Sequence, residues 1–489
     1  MKLFLMCRAA ALSMLAFAAL PAWSDEALKA CRVAGIKNEV QCGVVRRALD
    51  PAHPEGKKID VHYVVVPAMA RRKLADPVFM LAGGPGQSAI GVSPQVLPLF
   101  TRLNNRRDIV FVDQRGTGES APLECEDVRH LPLADQADPE RQFVHVKQCR
   151  EQLQKLPYGD LRFFTTTIAM QDLDAVRRQL GVDRINLVGA SYGTRAALEY
   201  LRQFPNQVRR TVIDGVAPPD MVLPVSFSTD NQAAFDAVIT SCEADVACAK
   251  AHPNLRADWI ALLASLPKHV TATHPLSGQP ETFTLTRHMV LGSVRGPLYA
   301  PALAAALPHA IDEAVHGRFE ALIGLNSLFA SRKGTSLAMG MHFSVVCAED
   351  YPRMGQASDA PGRDFNRDFA RVYERVCSEW PRGEVAAAFY SMPVSSSAAL
   401  VLSGGIDPAT PPRHGERVAR ALGPKALHMV VPNAGHGVLS IPCMRDVLFR
   451  FIDAAEESDA LAVDAICTKN MPRPPAYRPI DLSLESAKK

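Results

Sequence analysis

A serine set between small residues is the strongest chemical signal in the sequence. Ser191 is the centre of residues 189–193 (GASYG), which follow an apolar run at 185–188 and precede a helical pattern at 194–204. Small neighbours allow the sharp, strained strand-to-helix turn that exposes a nucleophilic hydroxyl at a helix N-terminus, where the helix dipole favours developing negative charge. Such pentapeptides also occur by chance in loops rich in glycine and serine. The flanking strand and helix patterns therefore carry the prediction that Ser191 is a nucleophile.

An aspartate and a histidine lie later in the chain, each shortly after another apolar run. Asp407 follows residues 398–402 (AALVL), and His436 follows residues 427–431 (LHMVV). Taken singly, an aspartate in a Gly-Pro loop is usually a turn residue and a lone histidine is usually structural. Here the chain order of nucleophile, acid and histidine is that of a triad built on a parallel sheet. The prediction is that His436 accepts the Ser191 proton and returns it to the leaving group, while Asp407 orients the imidazole and stabilises its charged form.

A glycine-rich turn, residues 83–86 (GGPG), closely follows the apolar run at 78–81. In a triad enzyme of this chain order, the loop in this place supplies one backbone N–H to the oxyanion, and the residue after the nucleophile supplies the other. We therefore expect Gly84 and Tyr192 to form the oxyanion hole, since Pro85 has no N–H. The alternatives are a plain glycine turn and a phosphate cradle, and no Gly-Lys-Ser/Thr follows to support the cradle. This chemistry requires no metal ion and no organic cofactor.

A second loop, residues 113–120 (DQRGTGES), follows the apolar run at 109–112. Its two glycines mark a tight turn. An ion pair between Asp113 and Arg115, or from either of them to a neighbour, would brace this loop beside the oxyanion turn. The loop is therefore predicted to be structural.

Short apolar runs alternate with helical patterns through the first 215 residues and again near the end of the chain. Such runs are typical of strands buried on both faces of a parallel sheet, and their alternation with helices predicts a doubly wound, mostly parallel α/β sheet. The strand pattern is missing between about residues 218 and 385, where helical segments stand out instead. The predicted organisation is a first core segment at 25–217, a helical cap insertion at 218–385 and a second core segment at 386–489. The predicted strands are residues 61–66, 78–81, 109–112, 185–188, 211–213, 398–402 and 427–431.

Charge and the N-terminus indicate where the protein acts. The 489 residues carry a formal net charge of +3 with no block of like charges, which argues against binding to nucleic acid or to an anionic membrane surface. Residues 1–24 have the pattern of a signal peptide: basic Lys2 and Arg8, an apolar stretch at 9–20, and small residues before a cleavage site. The stretch is shorter than the about 20 apolar residues of a membrane anchor. We therefore expect an exported protein, periplasmic or secreted, without a stable membrane anchor after cleavage.

Ten cysteines remain once the signal peptide and its Cys7 are removed, and they lie at positions 31, 42, 125, 149, 242, 248, 347, 377, 443 and 467. An even number of cysteines in an exported chain predicts disulfides. Pairing of sequence neighbours is one of many possible connectivities. Metal ligands and buried free thiols are the alternatives, and the absence of any Cys-x-x-Cys spacing disfavours a zinc site.

Taken together, these motifs resemble the prolyl aminopeptidase and tripeptidyl aminopeptidase family, which are serine exopeptidases of the α/β-hydrolase fold. The segments that carry the resemblance are residues 83–88, 113–120, 189–193, 404–411 and 435–437. Position 82 is alanine, where cytosolic prolyl aminopeptidases usually have a histidine before the two glycines. With the signal peptide and the cysteines, this departure favours the exported, tripeptidyl-type branch and counts against a strict preference for proline.

The resemblance also implies how the substrate is held. In this family a helical cap captures the free α-amino group of the substrate with acidic side chains. Residues 347–350 (CAED) resemble the family's acidic cluster near the end of the cap. The resemblance therefore implies that Glu349 and Asp350 bind the ammonium group, and that Phe343 or Tyr351 lines an apolar pocket. The alternative for the two carboxylates is a solvated acidic turn beside a disulfide.

The leading hypothesis is thus a serine aminopeptidase that acts on peptides with a free N-terminus. A carboxylesterase or lipase with the same triad is the nearest alternative. A catalytically silent binding module is a third, against which the complete triad and oxyanion loop argue.

Overall fold

The computed structural model of the chain describes residues 28–330 and 336–479. The predicted signal peptide, residues 1–24, lies outside the described residues. No helix within the described ranges is long and apolar enough to cross a bilayer.

A nine-stranded sheet forms the centre of the molecule. Its strand order is β1-β2-β3-β5-β4-β6-β7-β10-β11, with antiparallel pairing from β1 to β5 and parallel pairing from there to β11. Strands β8 and β9 form a separate antiparallel pair. The prediction of a doubly wound, mostly parallel sheet is confirmed. The strands are β1 Lys29–Cys31, β2 Val40–Ala48, β3 Lys58–Val66, β4 Val78–Leu81, β5 Ile109–Val112, β6 Ile185–Ala190, β7 Val208–Asp214, β8 Lys268–Thr273, β9 Pro280–Leu285, β10 Ala399–Gly404 and β11 Ala426–Val431.

Helices cover both faces of this sheet and fill the segment between β7 and β10. The α-helices are α1 Ala89–Val96, α2 Thr101–Asn104, α3 Leu133–Ala137, α4 Pro139–Leu153, α5 Thr166–Gln179, α6 Tyr192–Gln203, α7 Val225–Ala244, α8 Val246–Ala251, α9 Leu255–Ala264, α10 Arg287–Leu298, α11 Pro301–Ala304, α12 Leu307–Val315, α13 Glu320–Ala330, α14 Met339–Glu349, α15 Asp368–Glu379, α16 Pro412–Leu422, α17 Met444–Asp453 and α18 Glu457–Leu461.

The central strands β4 and β5 are apolar throughout because each buries both of its faces. In β4, Phe79 and Leu81 join a core shared with α5 and α6, whereas Val78 and Met80 join the core on the other face with α1 and α17. Successive side chains of a strand point to opposite faces, so a strand covered on both sides cannot alternate apolar with polar residues. This is why the apolar runs predicted these strands correctly.

The segment between β7 and β10 forms a second core, to which helices α7 to α13, the β8–β9 hairpin and also α3, from before β6, contribute. Helices α14 and α15, in contrast, contribute Phe343, Val345 and Val376 to the core over the sheet. The predicted boundaries at residues 218 and 385 fall between β7 and α7 and between α15 and β10. The division into domains stays a prediction, and the late part of the segment packs against the sheet.

Two features of the fold were absent from the sequence-based expectation. Strand β2 (VQCGVVRRA) is only partly buried, because it lies near the antiparallel edge, and its arginines do not fit the pattern of a doubly buried strand. The β8–β9 hairpin lies in a segment that was expected to be helical. Its strands bury alternate residues only, which gives a short period-two signal and no apolar run.

The ten cysteines form five disulfides, and each joins sequence neighbours. Pairing of neighbours, which the sequence left among many connectivities, is therefore confirmed. The bonds are Cys31–Cys42, Cys125–Cys149, Cys242–Cys248, Cys347–Cys377 and Cys443–Cys467.

Candidate active site

Ser191 occupies a strained turn between β6 and α6. Its backbone angles are φ 55° and ψ −125°, a region that residues with a side chain rarely adopt and that is tolerated where the surroundings enforce it. Hydrogen bonds hold both sides of the turn: Ser191 N donates to the Asp214 carbonyl at 2.9 Å, and Thr194 N donates to the Ser191 carbonyl at 2.9 Å. The turn therefore has the backbone of a nucleophile elbow.

The glycines on either side of Ser191 are required by close backbone approach. A Cβ on Gly189 would lie 2.4 Å from the Gly193 carbonyl oxygen, and a Cβ on Gly193 would lie 2.2 Å from the Leu81 carbonyl oxygen. Real Cβ atoms do not approach backbone that closely, so a larger residue would force β4, β6 and α6 apart. The spacing seen in the sequence is therefore a packing requirement of this turn.

Asp407 and His436 lie after the neighbouring parallel strands β10 and β11 and contact each other. His436 Nδ1 is 2.8 Å from Asp407 Oδ2. The buried carboxylate of Asp407 also accepts hydrogen bonds from Ala409 N at 2.8 Å and Thr410 N at 3.0 Å, and the Thr410 hydroxyl donates to Asp407 Oδ2 at 2.8 Å. These bonds fix the carboxylate, and the carboxylate fixes the imidazole so that Nε2 is left for another partner.

The two groups shift each other's pKa in the directions that a triad needs. Burial alone would raise the pKa of Asp407, but the charge of His436 and its hydrogen bond hold it below the ordinary value. Burial alone would lower the pKa of His436, but the attraction and hydrogen bond of Asp407 raise it above the ordinary value. Asp407 thus stays ionised, and the imidazole takes up a proton more readily than an ordinary histidine does.

Asp214, at the end of β7, joins the nucleophile turn to the histidine loop. Its backbone carbonyl accepts Ser191 N, while its carboxylate accepts Val438 N at 2.9 Å and Leu439 N at 2.8 Å. Burial raises the pKa of this carboxyl to about 6, against the lowering effect of the two N–H groups. One residue therefore couples the position of Ser191 to that of His436.

Sequence reasoning missed Asp214, although its place carried a signal: it is an acidic residue at the carboxyl end of a buried strand, like Asp407. It also missed Tyr299, from the insertion. The Tyr299 carbonyl accepts His436 N at 3.0 Å, and its ring packs edge-on against the imidazole with centroids 5.0 Å apart. No local pattern in the sequence marks Tyr299, because its contact joins the insertion to the core.

The glycine turn at 83–86 lies directly beside the nucleophile. A Cβ on Gly83 would be 3.2 Å from Ser191 Cβ, and Gly83 N itself donates to the Gln87 side chain at 3.2 Å. Within the described ranges, no hydrogen bond uses Gly84 N or Tyr192 N. The oxyanion role of Gly84 N and Tyr192 N stays a prediction, with Gly83, the neighbour of Gly84, beside Ser191 and Tyr192 directly after it in the chain.

Glu349 and Asp350 lie in the core, enclosed with Arg195. Their exposed fractions are 1% and 0%. Arg195 Nη1 is 3.0 Å from Asp350 Oδ2 and 3.6 Å from Glu349 Oε2, and Glu349 Oε1 accepts Thr166 N at 2.7 Å. Burial, partly opposed by Arg195, raises the pKa of Glu349 to about 7. Binding of a substrate ammonium by this pair stays a prediction, and the Arg195 contacts count against it, as does the lack of any exposed carboxylate edge.

Phe343 and Tyr351, the two residues expected to line an apolar pocket, both pack against other side chains. Phe343 is buried and contacts Tyr373 and Trp380, with ring centroids 5.5 and 5.4 Å away. Tyr351 is half-buried, with the Arg382 guanidinium 5.1 Å from its ring centroid. Phe343 therefore belongs to the core over the sheet, and Tyr351 packs against that core.

The loop at 113–120 is braced by partners outside the loop. Arg115 is buried and forms two hydrogen bonds with Asp172, at 2.7 and 3.0 Å. Asp113 accepts the Ser88 hydroxyl at 2.7 Å and Ile90 N at 3.0 Å, which ties it to the start of α1, just after the glycine turn. The structural interpretation thus holds through ion pairing with a neighbour rather than between Asp113 and Arg115.

Comparison with known proteins agrees with this geometry. Residues 76–265 match the family described as "alpha/beta hydrolase fold", and residues 362–462 match the family described as "TAP-like protein". The chain therefore has the α/β-hydrolase fold, and its residues 362–462 are similar to TAP-like proteins. This α/β-hydrolase is 31% identical over 193 residues to a tripeptidyl aminopeptidase of Streptomyces lividans, a match that covers 37% of this chain and 36% of that enzyme.

Two longer matches carry different names. Serine protease Hip1 of Mycobacterium tuberculosis is 26% identical over 417 residues, covering 78% of this α/β-hydrolase and 79% of that protein. Carboxylesterase B of the same species is 26% identical over 413 residues, covering 78% of each chain. A relative named as a peptidase and a relative named as an esterase thus match this chain over nearly the same length.

Proposed function

We propose that this α/β-hydrolase is a serine peptidase that cleaves peptide bonds near a free N-terminus through an acyl-enzyme. The observation that carries the proposal is the coupling of a strained Ser191 turn, through Asp214, to a histidine whose Nδ1 is 2.8 Å from the buried carboxylate of Asp407. The peptidase assignment is supported by the names of the Streptomyces and Hip1 relatives.

In the proposed reaction, Ser191 Oγ attacks the carbonyl carbon while His436 Nε2 takes up the hydroxyl proton. Negative charge moves to the carbonyl oxygen, where Gly84 N and Tyr192 N donate hydrogen bonds; loss of one such donor costs about 3–4 kcal/mol in the barrier. The C–N bond then breaks, and the amine leaves with the proton from His436. Water repeats the cycle on the acyl-enzyme: His436 takes its proton, the carboxylic acid is released, and Ser191 regains its hydrogen.

The second candidate is a carboxylesterase with the same triad. The relative named carboxylesterase B favours it, as does the enclosure of Glu349 and Asp350, which leaves no open amine anchor among the residues expected to form one. An ester and an amide substrate would undergo the same acyl transfer at Ser191. The two candidates differ in what the enzyme recognises beside the scissile bond.

The test compares three substrates on the purified mature chain: a tripeptidyl chromogenic amide with a free amine, its N-acetylated counterpart, and a short-chain ester. Rapid amide cleavage that is lost on acetylation supports the aminopeptidase. Ester cleavage with negligible turnover of both amides would replace it with the esterase.

Two variants anchor this test. Ser191→Ala should abolish turnover of every substrate and labelling by a fluorophosphonate, while Ser277→Ala, an exposed serine in the β8–β9 hairpin, should leave both unchanged. A folded wild-type protein that the fluorophosphonate does not label would overturn the triad itself and leave the binding-module alternative.

We also propose that the protein acts outside the reducing cytosol. The five disulfides support this location, since such bonds persist in oxidising compartments and are rare in the cytosol. The proposed substrates are peptides, and we propose no binding to nucleic acid.

A further inference from the structure

Histidine and acidic side chains gather in the insertion, on α12. His309, Asp312 and Glu313 follow each other at the spacing that places side chains on one helix face. Each offers one potential ligand atom, and these atoms all lie within 4.8 Å of one another. The three residues are only partly buried, so the group is open to ions from solvent.

A buried histidine from another element faces this group. His252 follows α8, its side chain is 4% exposed, and neither of its ring nitrogens has a hydrogen-bond partner. His252 Nδ1 lies 3.7 Å from Asp312 Oδ2, and its ring centroid lies 6.2 Å from that of His309. A buried polar group without a partner costs free energy, so the two unused nitrogens call for an explanation.

The separation between His252 and Asp312 fits two ligands of one metal ion. At 3.7 Å it exceeds the length of a hydrogen bond. Zinc binds imidazole nitrogen and carboxylate oxygen at about 2.0–2.2 Å in a tetrahedron, which places neighbouring ligand atoms roughly 3.3–3.5 Å apart. The His309 ring has to turn toward His252 to complete such a site, since the ring centroids of the two histidines are 6.2 Å apart.

We propose that His252 Nδ1, His309 and Asp312 bind a divalent cation of the zinc class. Two imidazoles with a carboxylate suit Zn²⁺ and its transition-metal neighbours, whereas Ca²⁺ and Mg²⁺ prefer oxygen ligands alone. Glu313 is paired with Arg318, at 2.5 and 2.6 Å, so it becomes a fourth ligand only when that ion pair opens. Water completes the tetrahedron otherwise.

The neighbouring groups are compatible with this site. His316 Nδ1 is 2.7 Å from the Asp312 backbone carbonyl and 3.6 Å from Asp312 Oδ1, so its hydrogen bond leaves the carboxylate available to a metal ion. The Tyr477 ring packs against His309 with centroids 5.5 Å apart. The metal would join α12 to the segment after α8, close to the Cys242–Cys248 disulfide, and so tie two parts of the insertion together. The role is structural, and no triad residue takes part.

This site departs from the expectation that the chain needs no metal. That expectation rested on two observations: acyl transfer by a triad requires no metal ion, and the sequence has no Cys-x-x-Cys spacing. His252 and His309 are far apart in sequence and meet only because α9 and α12 pack together.

The test uses the mature chain without a histidine tag, freed of metal with a chelator and then titrated with ZnCl₂ in a calorimeter. We expect one saturable site per chain and a rise in Tm on saturation. His252→Ala and Asp312→Asn should each weaken binding by at least about 100-fold, since loss of a ligand should cost at least as much as loss of the groups that orient ligands. His269→Ala, an exposed histidine on β8, should bind zinc as the wild type does.

Three results would overturn the proposal: no saturable zinc binding by the wild type, equal affinity in His252→Ala, or equal affinity in Asp312→Asn. Equal affinity in His252→Ala would show that only exposed α12 side chains bind the ion. Fluorophosphonate labelling of Ser191 reports the folded state of each variant without depending on zinc. Asp312→Asn keeps the shape of a partly exposed side chain, so it remains informative even if His252→Ala fails to fold.

Discussion

Replacement of Asp214 by asparagine tests the link between the nucleophile turn and the histidine loop. The carboxylate of Asp214 is buried and accepts Val438 N and Leu439 N. Asparagine keeps one acceptor oxygen for these two N–H groups, which bond to different carboxylate oxygens, and it cannot ionise. The lost hydrogen bond costs the same at every pH, so the pH dependence of the stability difference isolates the effect of the charge.

The size of the effect follows from the pKa of Asp214. Burial raises it from the usual 3.8 to about 6, so ionisation costs about 3 kcal/mol more in the folded protein than in the unfolded chain. Below pH 3.8 the carboxyl is protonated in both states, and its contribution to stability is fully present. That contribution is lost as the pH rises from 3.8 through about 6. Above this pH, the carboxyl is ionised in both states and stability no longer changes with its titration.

The measurement is the free energy of unfolding by urea at pH 4, 5, 6 and 7, with the disulfides intact, for the wild type and Asp214→Asn. Taking the difference cancels the other titrating groups. We expect the wild type to lose about 2.4 kcal/mol relative to the variant between pH 4 and pH 7, because about 0.6 of the 3 kcal/mol is already lost at pH 4. Asp464→Asn, which changes an exposed aspartate, should show no such trend between pH 5 and pH 7.

The connection that Asp214 makes between the Ser191 turn and the His436 loop also predicts an effect on kcat. Asp214→Ala leaves two buried N–H groups without an acceptor, at about 1–3 kcal/mol each, and frees the loop that carries His436. We expect kcat to fall in Asp214→Ala and to recover in part in Asp214→Asn, which keeps one acceptor for the two N–H groups. A stability difference that is flat with pH would refute the buried, ionisable carboxylate. A normal kcat in folded Asp214→Ala would refute its positioning role.

Two further predictions concern the site. The pKa of His436 is raised above its usual 6.5, so kcat/KM should fall as the pH decreases through a value above 6.5. Asp407→Asn should move this fall in kcat/KM to lower pH. A fall centred at or below pH 6.5 in the wild type would contradict the pairing of His436 with Asp407. For Glu349→Gln, the Arg195 contacts predict equal changes in KM for a free-amine amide and its acetylated counterpart, together with an altered Tm; a rise in KM confined to the free amine would restore Glu349 as the amine anchor.

The sequence predicted those parts of the molecule whose cause is local. The strands around β4 and β6 are buried on both faces, so they had to be short apolar runs. The glycines beside Ser191 were visible because close backbone approach tolerates no Cβ there. Asp407 and His436 could be found because their place after successive strands follows from the chain order.

Strands with a weaker pattern were not predicted. The hairpin β8–β9 exposes alternate residues to solvent, and β2 is partly buried with no regular alternation, so their signals are short and mixed with charge. The sequence also could not predict that α14 and α15 join the core over the sheet. An apolar helix has the same composition whether it packs in the insertion or over the sheet.

The sequence by itself therefore determined the parallel α/β core, the nucleophile turn and the order of the predicted triad. Only the tertiary structure decided which charges meet: Asp214 with the loop after His436, Arg195 with Glu349 and Asp350, and His252 with α12. The physical reason is that burial and pairing of a charge depend on side chains brought together from distant segments. Local periodicity records which face of an element is buried, and it carries no record of the partner found there.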